Sequence, residues 1–580
     1  MKTRKLISML LILCMAVAMM AGCGKQGGTD TPDPTPTTAA QQGGEENPGT
    51  TDPDPTKAPD PTKEPEATPT PTPVPEFWTT LDPNAAGEIT IAYKDGDGVY
   101  YEDLGSKEIN EWDMTSSNVA AIYAMAKKFK EHYPNVKINL YTIAGDWDST
   151  GVAWEQVIEN FKLQYGEYPD IWLSRSTLDE LSKGLSADLS RYEDDPLYQN
   201  LNKSAMEQMN LYGVQTGLPV GVQAYGVWVN KSLAEQNNID VPDPDWTIDD
   251  YTDFIGGAKG KNFYGAMDSP MGFLDVLTQD IDYKFTHRDG NGAYIDITTD
   301  AVKDILGYVT EWSQTTVWPQ YEIGNVPNEV MDAGWWDEYH FFKIESTMTL
   351  NGNPWMMPFT NGGEEGNNTL LFDYDIYPYP SSDYVDNSVS VIPQRIALFN
   401  HALSDGNQEL SASEAAALDM AYAFASWWVG TTEAMQARAN QQYNSWGWLA
   451  PALSDLLPSA TGAAFDEQME YWYSYMPQYK DKEGWSTVVE LVKNGQFWNV
   501  NNQTMAVKYM EDGVSNGCYW EWQSLYSTIG ARRASDEFID EIKSKLVEWN
   551  ETFNNRFALA DKQLQEALTN YYGFTAADFN

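Results

Sequence analysis

Apolar positions in the first 400 residues alternate between two spacings, and the change from one to the other divides the chain into elements. Glu88 to Tyr93 is an apolar, β-branched run that reads as a strand and ends in the turn-rich Lys94-Asp95-Gly96-Asp97-Gly98. Val119, Ile122, Tyr123, Ala126, Phe129 and Tyr133 then recur at helical spacing behind a capping Ser117, and Pro134 stops the helix. Val136 to Ile143 is a second strand, about Ala153 to Tyr165 a second helix, and Pro169 to Leu173 a third strand ending at Ser174-Arg175. Strand, helix, strand, helix, strand with short connections predicts a parallel sheet covered on both faces.

A longer apolar run, Leu218 to Val229, is interrupted by Gly221 and Gly226 and reads as a strand passing from one sheet to another. A short helical piece after Asn230-Lys231 and a proline-rich turn lead to Thr247, a predicted N-cap with Asp249 and Asp250 in the first helical turn. Residues 261–267 and a helix near 273–281 belong to the next unit, another helix spans about 300–316, and further strands are expected at 346–350, 375–379 and 389–398. Beyond residue 400 helices dominate. One runs from Ser413, its expected N-cap, to Val429, and others cover about 463–476, 486–494, 502–510, 518–529 and 536–568.

The ends of the chain change this picture. Lys2, Arg4 and Lys5 precede an apolar stretch, Leu6 to Met20, too short to span a bilayer comfortably, and Ala21-Gly22 lead directly into Cys23. From Gly24 to about Trp78 the chain is Pro, Thr, Asp, Gly and Glu; it cannot bury apolar area and reads as an extended, disordered tether. With 580 residues, two or more domains are expected. The net charge of −49 makes nucleic acid a poor partner. Cys14, Cys23 and Cys518 are the only cysteines, and there are four histidines, so a cysteine-type metal site is not expected. The Asp-Gly-Asp-Gly run lacks the later ligand spacing of a calcium loop, and no cofactor is expected.

The residues around Cys23 resemble a bacterial lipoprotein signal, which implies cleavage after residue 22 and a lipid on Cys23. The folded part resembles the carbohydrate-binding, maltose-binding-protein-like class of extracellular solute-binding proteins of ABC importers. Its pieces occur in family order over roughly residues 87 to 545: Ala124 to Val136, Tyr168 to Trp172, Leu218 to Lys231 followed by Asp245-Trp246-Thr247, Thr349 to Trp355, Val391 to Leu398, and Ala415 to Trp427. Departures fall at about 100–115, 285–294 and beyond 545.

The resemblance implies an α/β, two-lobed periplasmic-binding-protein-like fold of type II, with hinged lobes, a ligand cleft and a helix-rich C-terminal part. The expected division is 1–22 signal peptide, 23–78 lipidated cysteine and linker, and 87–223 first part of lobe one. Residues 224–392 are then the first part of lobe two, 393–450 the return to lobe one, and 451–580 the rest of lobe two with the C-terminal helices. It implies an oligosaccharide ligand, an ABC permease partner, membrane attachment through Cys23 on the extracellular face, and a monomer.

Sugar C–H faces pack on aromatic rings and sugar hydroxyls need planar polar partners, a demand that 22 Trp and 34 Tyr fit. By resemblance Trp355 is the leading stacking residue and Gln223 a hydrogen-bonding one; Tyr225 stands beside it. Lys94, Asp95, Ser174 and Arg175 follow strands of the first sheet, where ligands of open α/β sheets bind. Trp446 and Trp448 flank a loop glycine, and Tyr519 and Trp520 open a helix near the second lobe's rim. Trp172 alternates into its strand and is expected in the core. The net charge argues against an acidic sugar, unless Arg175 or Lys94 overrules it locally. Competing readings are a secreted glycoside hydrolase and a cell-surface glycan-adhesion module, although no strand-end glutamate pair, Ser-His-Asp order, P-loop or zinc spacing stands out.

Overall fold

The computed structural model describes residues 81–96, 98–106, 117–144, 154–174, 177–268, 288–289, 292–293, 296, 298–317, 342–351, 370–404, 409–440, 442–445, 448–451, 456–499 and 535–579. The signal and tether, and the helices expected near 273–281, 502–510 and 518–529, lie outside them.

The first lobe begins with β1 (Gly87–Gly96), α1 (Ser117–His132), β2 (Val136–Ala144), α2 (Trp154–Tyr165), β3 (Ile171–Ser174) and the short α3 (Thr177–Ser182). β1 pairs in parallel with β2 on one side and β3 on the other, as the alternating pattern predicts. Ile89, Ile91, Ile138, Leu140, Ile171 and Trp172 are buried in this sheet, so Trp172 is a core residue. The chain then reaches β4 (Leu218–Tyr225) and, after Gly226, β5 (Val227–Asn230), which belongs to a second sheet.

In the second lobe, Asn230 caps α4 (Lys231–Gln236), and α5 (Ile248–Gly256) follows a capping box. Asp250 N donates to Thr247 Oγ1 at 3.2 Å while Thr247 N donates to Asp250 Oδ2 at 2.9 Å. Trp246, just before the cap, packs its ring edge-on against Tyr251, four positions into the helix, with centroids 5.4 Å apart. That contact is a hydrophobic staple, which fixes the angle at which the chain enters α5.

β6 (Tyr264–Asp268), α6 (Asp300–Trp312), β7 (Thr316–Val317), β8 (Thr347–Asn351) and β9 (Tyr374–Tyr377) complete a five-stranded sheet in the order β7-β6-β8-β5-β9. The chain returns to the first sheet through β10 (Val389–Leu398), which runs antiparallel to both β3 and β4. The first sheet is therefore mixed. Its βαβ strands are parallel, β10 returning from the second lobe runs against them, and β4, antiparallel to β10, runs in their direction.

α7 (Ala412–Gly430) follows, and nearly every residue from Leu418 onward is buried, as a helix apolar on all sides must be. Its cap is Ser411 rather than the expected Ser413. Both serines are suitable, but only Ser411 has a glutamate three residues on, and Ser411 N donates to the Glu414 carboxylate at 2.7 Å. α8 (Thr432–Ala439) leads into a hairpin of β11 (Gln442–Ser445) and β12 (Trp448–Pro451) that sequence periodicity misses.

α9 (Gly462–Tyr475) and α10 (Glu483–Lys493) precede β13 (Phe497–Asn499), another unexpected strand, parallel to β10. The last long element is α11 (Asp536–Tyr571). Among the described residues three apolar cores result. One lies within the first lobe, one joins the second lobe to α11, and a third packs α9 and α10 against the crossover strands through Val222, Ala224, Trp228 and Val391.

Candidate ligand cleft

Strand register places the carboxyl ends of both sets of parallel strands toward the Gly226 crossover. In the second sheet, the last residues of β6 and β8, Asp268 and Asn351, pair with each other, and Asn351 pairs with Val227, the first residue after Gly226. In the first sheet Ser174, the last residue of β3, pairs with Arg395 of β10. Earlier residues of β10 pair toward the crossover end of β4, Ser390 with Tyr225. Ligands of open α/β sheets bind beyond such carboxyl ends. The geometry defines a cleft with one sheet edge on each side and the crossovers at its base.

Gly226 is needed at that base for space. Its backbone is not in the left-handed region; a Cβ there would lie 2.5 Å from the Tyr377 carbonyl oxygen of β9. Gly221 is closed in the same way, with a Cβ position 2.7 Å from Leu456 Cβ. The two glycines thus permit close approach of chains, where the pattern alone reads them as bends. Between them, alternation separates two faces of β4. Val222 and Ala224 are buried in the third core, while Gln223 and Tyr225 are half-buried on the opposite face.

Lys94 and Asp95 lie in the last turn-ward residues of β1, where the register with β2 shifts between Tyr93 and Gly96. Ser174 is buried, and its hydroxyl is engaged. It bonds the Glu180 carboxylate and receives Arg395 Nη2. Glu180 also accepts Trp172 Nε1 at 3.0 Å, Ser186 Oγ at 2.9 Å and Arg395 Nη2 at 2.6 Å. Arg395 Nη1 completes the set on Thr216, at 2.7 Å to Oγ1 and 3.1 Å to the carbonyl. Burial lowers the Arg395 pKa and the adjacent Glu180 charge opposes that shift. Ser174 therefore acts behind the cleft edge, fixing strand end, α3 and the return strand to one another.

Trp448 stands in β12, the second strand of the hairpin, instead of in a loop. Trp355, Trp446, Arg175, Tyr519 and Trp520 lie outside the described residues. A cavity of about 460 Å³ opens elsewhere, against Glu88, Thr90, Glu167, Tyr168, Asp170 and His401. These residues lie at the amino ends of β1 and β3 and just past the end of β10, the pole of the lobe away from the crossover, so the cavity is not the cleft. Among the described residues no group of three or more His, Cys, Asp or Glu side chains could hold a metal.

A sequence profile of the bacterial extracellular solute-binding proteins matches residues 124–446. The chain belongs to this family. This solute-binding protein is 28% identical over 300 residues to an uncharacterized ABC transporter extracellular-binding protein of Pyrococcus horikoshii, covering 48% of this chain. The chain spans 61% of the length of that relative. Among solved structures it is similar to a sugar transporter from Rhizobium etli in an open conformation, with a TM-score of 0.52 and 14% identity over 80% of this chain and 99% of the other. It is also similar to UgpB from Mycobacterium tuberculosis in complex with glycerophosphocholine, with a TM-score of 0.51 and 11% identity over 81% and 99%. At these identities the likeness is one of fold, the two-lobed fold of periplasmic binding proteins.

Proposed function

We propose that this protein is a lipid-anchored receptor on the extracellular face of the cell membrane that captures a carbohydrate, an oligosaccharide, and delivers it to the permease of an ABC importer. It does so without chemical turnover and as a monomer. The observation that carries this reading is the paired crossover, β4 through Gly226 to β5 and β9 to β10, which joins two sheets with their parallel strand ends turned toward one cleft. Ligand contacts to both edges stabilise the closed arrangement of such a hinge. One solved neighbour is described as a sugar transporter and the other is in complex with glycerophosphocholine, so the ligand class rests on this chain's own residues: Gln223 and Tyr225 on the half-buried face of β4, and the tryptophans of the chain.

Trp355, Trp446, Trp448, Tyr519 and Trp520 are proposed to stack sugar faces, and Lys94, Asp95 and Arg175 to meet hydroxyls from lobe one. Cys23 is proposed to carry the lipid, and residues 23–78 to hold the lobes away from the membrane. Incubating the protein with an oligosaccharide panel tests this. Thermal stabilisation without hydrolysis products is expected, and Trp355→Ala is expected to weaken the best ligand by about tenfold or more. Hydrolysis would make the protein a glycosidase. Stabilisation by no saccharide would remove the receptor reading.

A further inference from the structure

Among the described residues, Arg438 is a cation that the fold buries with no carboxylate partner. It stands in the last turn of α8 and is 9% exposed. Among the described residues its only hydrogen-bond acceptor is the Met435 thioether, at 3.3 Å from Nε and 3.1 Å from Nη2. A thioether is a weak acceptor, and a guanidinium carries five donors, so most of its hydrogen-bonding capacity is unused. Burial brings its pKa down to about 10, opposed by Tyr93. The contrast with Arg395, equally buried but satisfied by Glu180, Ser174 and Thr216, is within one lobe.

Its position connects it to the cleft. α1 starts beyond the carboxyl end of β1 and runs back along the sheet to His132, whose Nε2 lies 2.9 Å from Glu433 in the first turn of α8. α8 thus starts at the far end of α1 and advances toward the carboxyl edge of the sheet, bringing Arg438 beside Tyr93, the residue before Lys94. Trp428 borders the same tyrosine, ring centroids 5.6 Å apart, and its indole Nε1 is buried with no hydrogen-bond partner. Met435, which faces Arg438, belongs to the core built on the crossover strands. Among the described residues, a guanidinium whose only acceptor is a thioether and an indole N–H with none therefore border the cleft end of β1.

We infer that Arg438 anchors an anionic group of the bound solute, so that the saccharide is an acidic one carrying a carboxylate or a phosphate. This inference rests on the saccharide reading above. Both oxyanions present paired oxygens that match the planar fork of a guanidinium, and a bidentate contact in a dry site is much stronger than one in water. A net charge of −49 acts at long range and is screened within about a Debye length, whereas an unscreened guanidinium at the cleft decides the local sign. The plainer role for a basic residue in a last helical turn is to complement the helix dipole.

Calorimetric titration of the full chain with matched pairs separates the two roles. The probes are galactotriose with trigalacturonate for the carboxylate arm, maltose with maltose 1-phosphate for the phosphate arm, and inorganic phosphate alone. One acidic saccharide is expected to bind about tenfold or more tighter than its neutral partner. R438M is expected to bring the pair to within about threefold, and R438K, which keeps charge but loses the fork, to fall between. Equal affinities in the wild type would overturn the inference and leave the saccharide reading standing. An acid preference that survives in R438M, with only a lowered Tm, would assign Arg438 to the helix instead. Binding of phosphate alone with no saccharide preference, or of no probe at all, would overturn both readings.

Discussion

Glu180 accepts from Trp172, Ser174, Ser186 and Arg395, and the resulting satisfaction is what makes a charge tolerable at 0% exposure. Removing one partner leaves the other charge buried and unpaired, which costs about 3–5 kcal/mol, while replacing both by apolar groups of similar volume is often near neutral. Glu180→Leu and Arg395→Met are each expected to lose about that much in urea unfolding, and the double variant to recover most of it. Additive losses would show that the two side chains act separately. This network also marks where sequence reading stops. Ser174 is visible as a strand-end residue, but its partners Glu180 and Arg395 lie 6 and 221 positions away, and no local pattern encodes the second distance. Arg438 is hidden for a related reason. A basic residue in a last turn reads as a dipole partner, and only burial with no carboxylate partner among the described residues distinguishes it.

At the scale of elements, local signals decide most of the outcome. Thr247 is legible as a cap because the Pro-rich turn, the threonine and the first-turn aspartates all agree, and the structure adds the Asp250 bond and the Trp246 staple. Ser411 and Ser413 compete on equal propensity, and the glutamate spacing selects the former. Ser411→Ala is expected to cost about 1 kcal/mol and Ser413→Ala a few tenths, read from the denaturant midpoint at constant slope. Among the strands missed, β7, β11, β12 and β13 are two to four residues long and draw their definition from a partner strand rather than from periodicity. The crossover is legible as a strand broken by glycine, yet the reason for the glycine is tertiary. Because the Cβ site at Gly226 meets a backbone oxygen at 2.5 Å, Gly226→Val must push β9 from β5. Faster hydrogen exchange is expected across 227–230 and 374–377, with the β1–β2 pair unchanged. Uniform exchange across both lobes would locate the strain elsewhere.

For the molecule as a whole, the order of elements is readable from the pattern, but the role of the C-terminal helix is not. α11 has the amphipathic spacing of a surface helix, yet its buried residues serve two places in the fold. Phe538, Ile539, Ile542, Leu546, Leu564 and Leu568 join the core of the second lobe with Val302, Ile305 and Trp312 of α6. At its far end Tyr571 lies against Gly184, and the Tyr572 hydroxyl donates to the Ser186 carbonyl at 2.6 Å, both in the segment that carries Glu180's network. Six large apolar side chains at about 1.5–3 kcal/mol each come to the order of 10 kcal/mol, comparable with the whole stability of a typical domain. Truncation before Ser535 should therefore leave the second lobe unable to hold its core, while the first lobe keeps the cluster around Ile91, Leu140 and Phe424. Scanning calorimetry of the truncated chain is expected to show a residual transition from the first lobe alone, with the second lobe already unfolded. A single transition at an unchanged temperature would mean that α11 rests on the fold without supporting it.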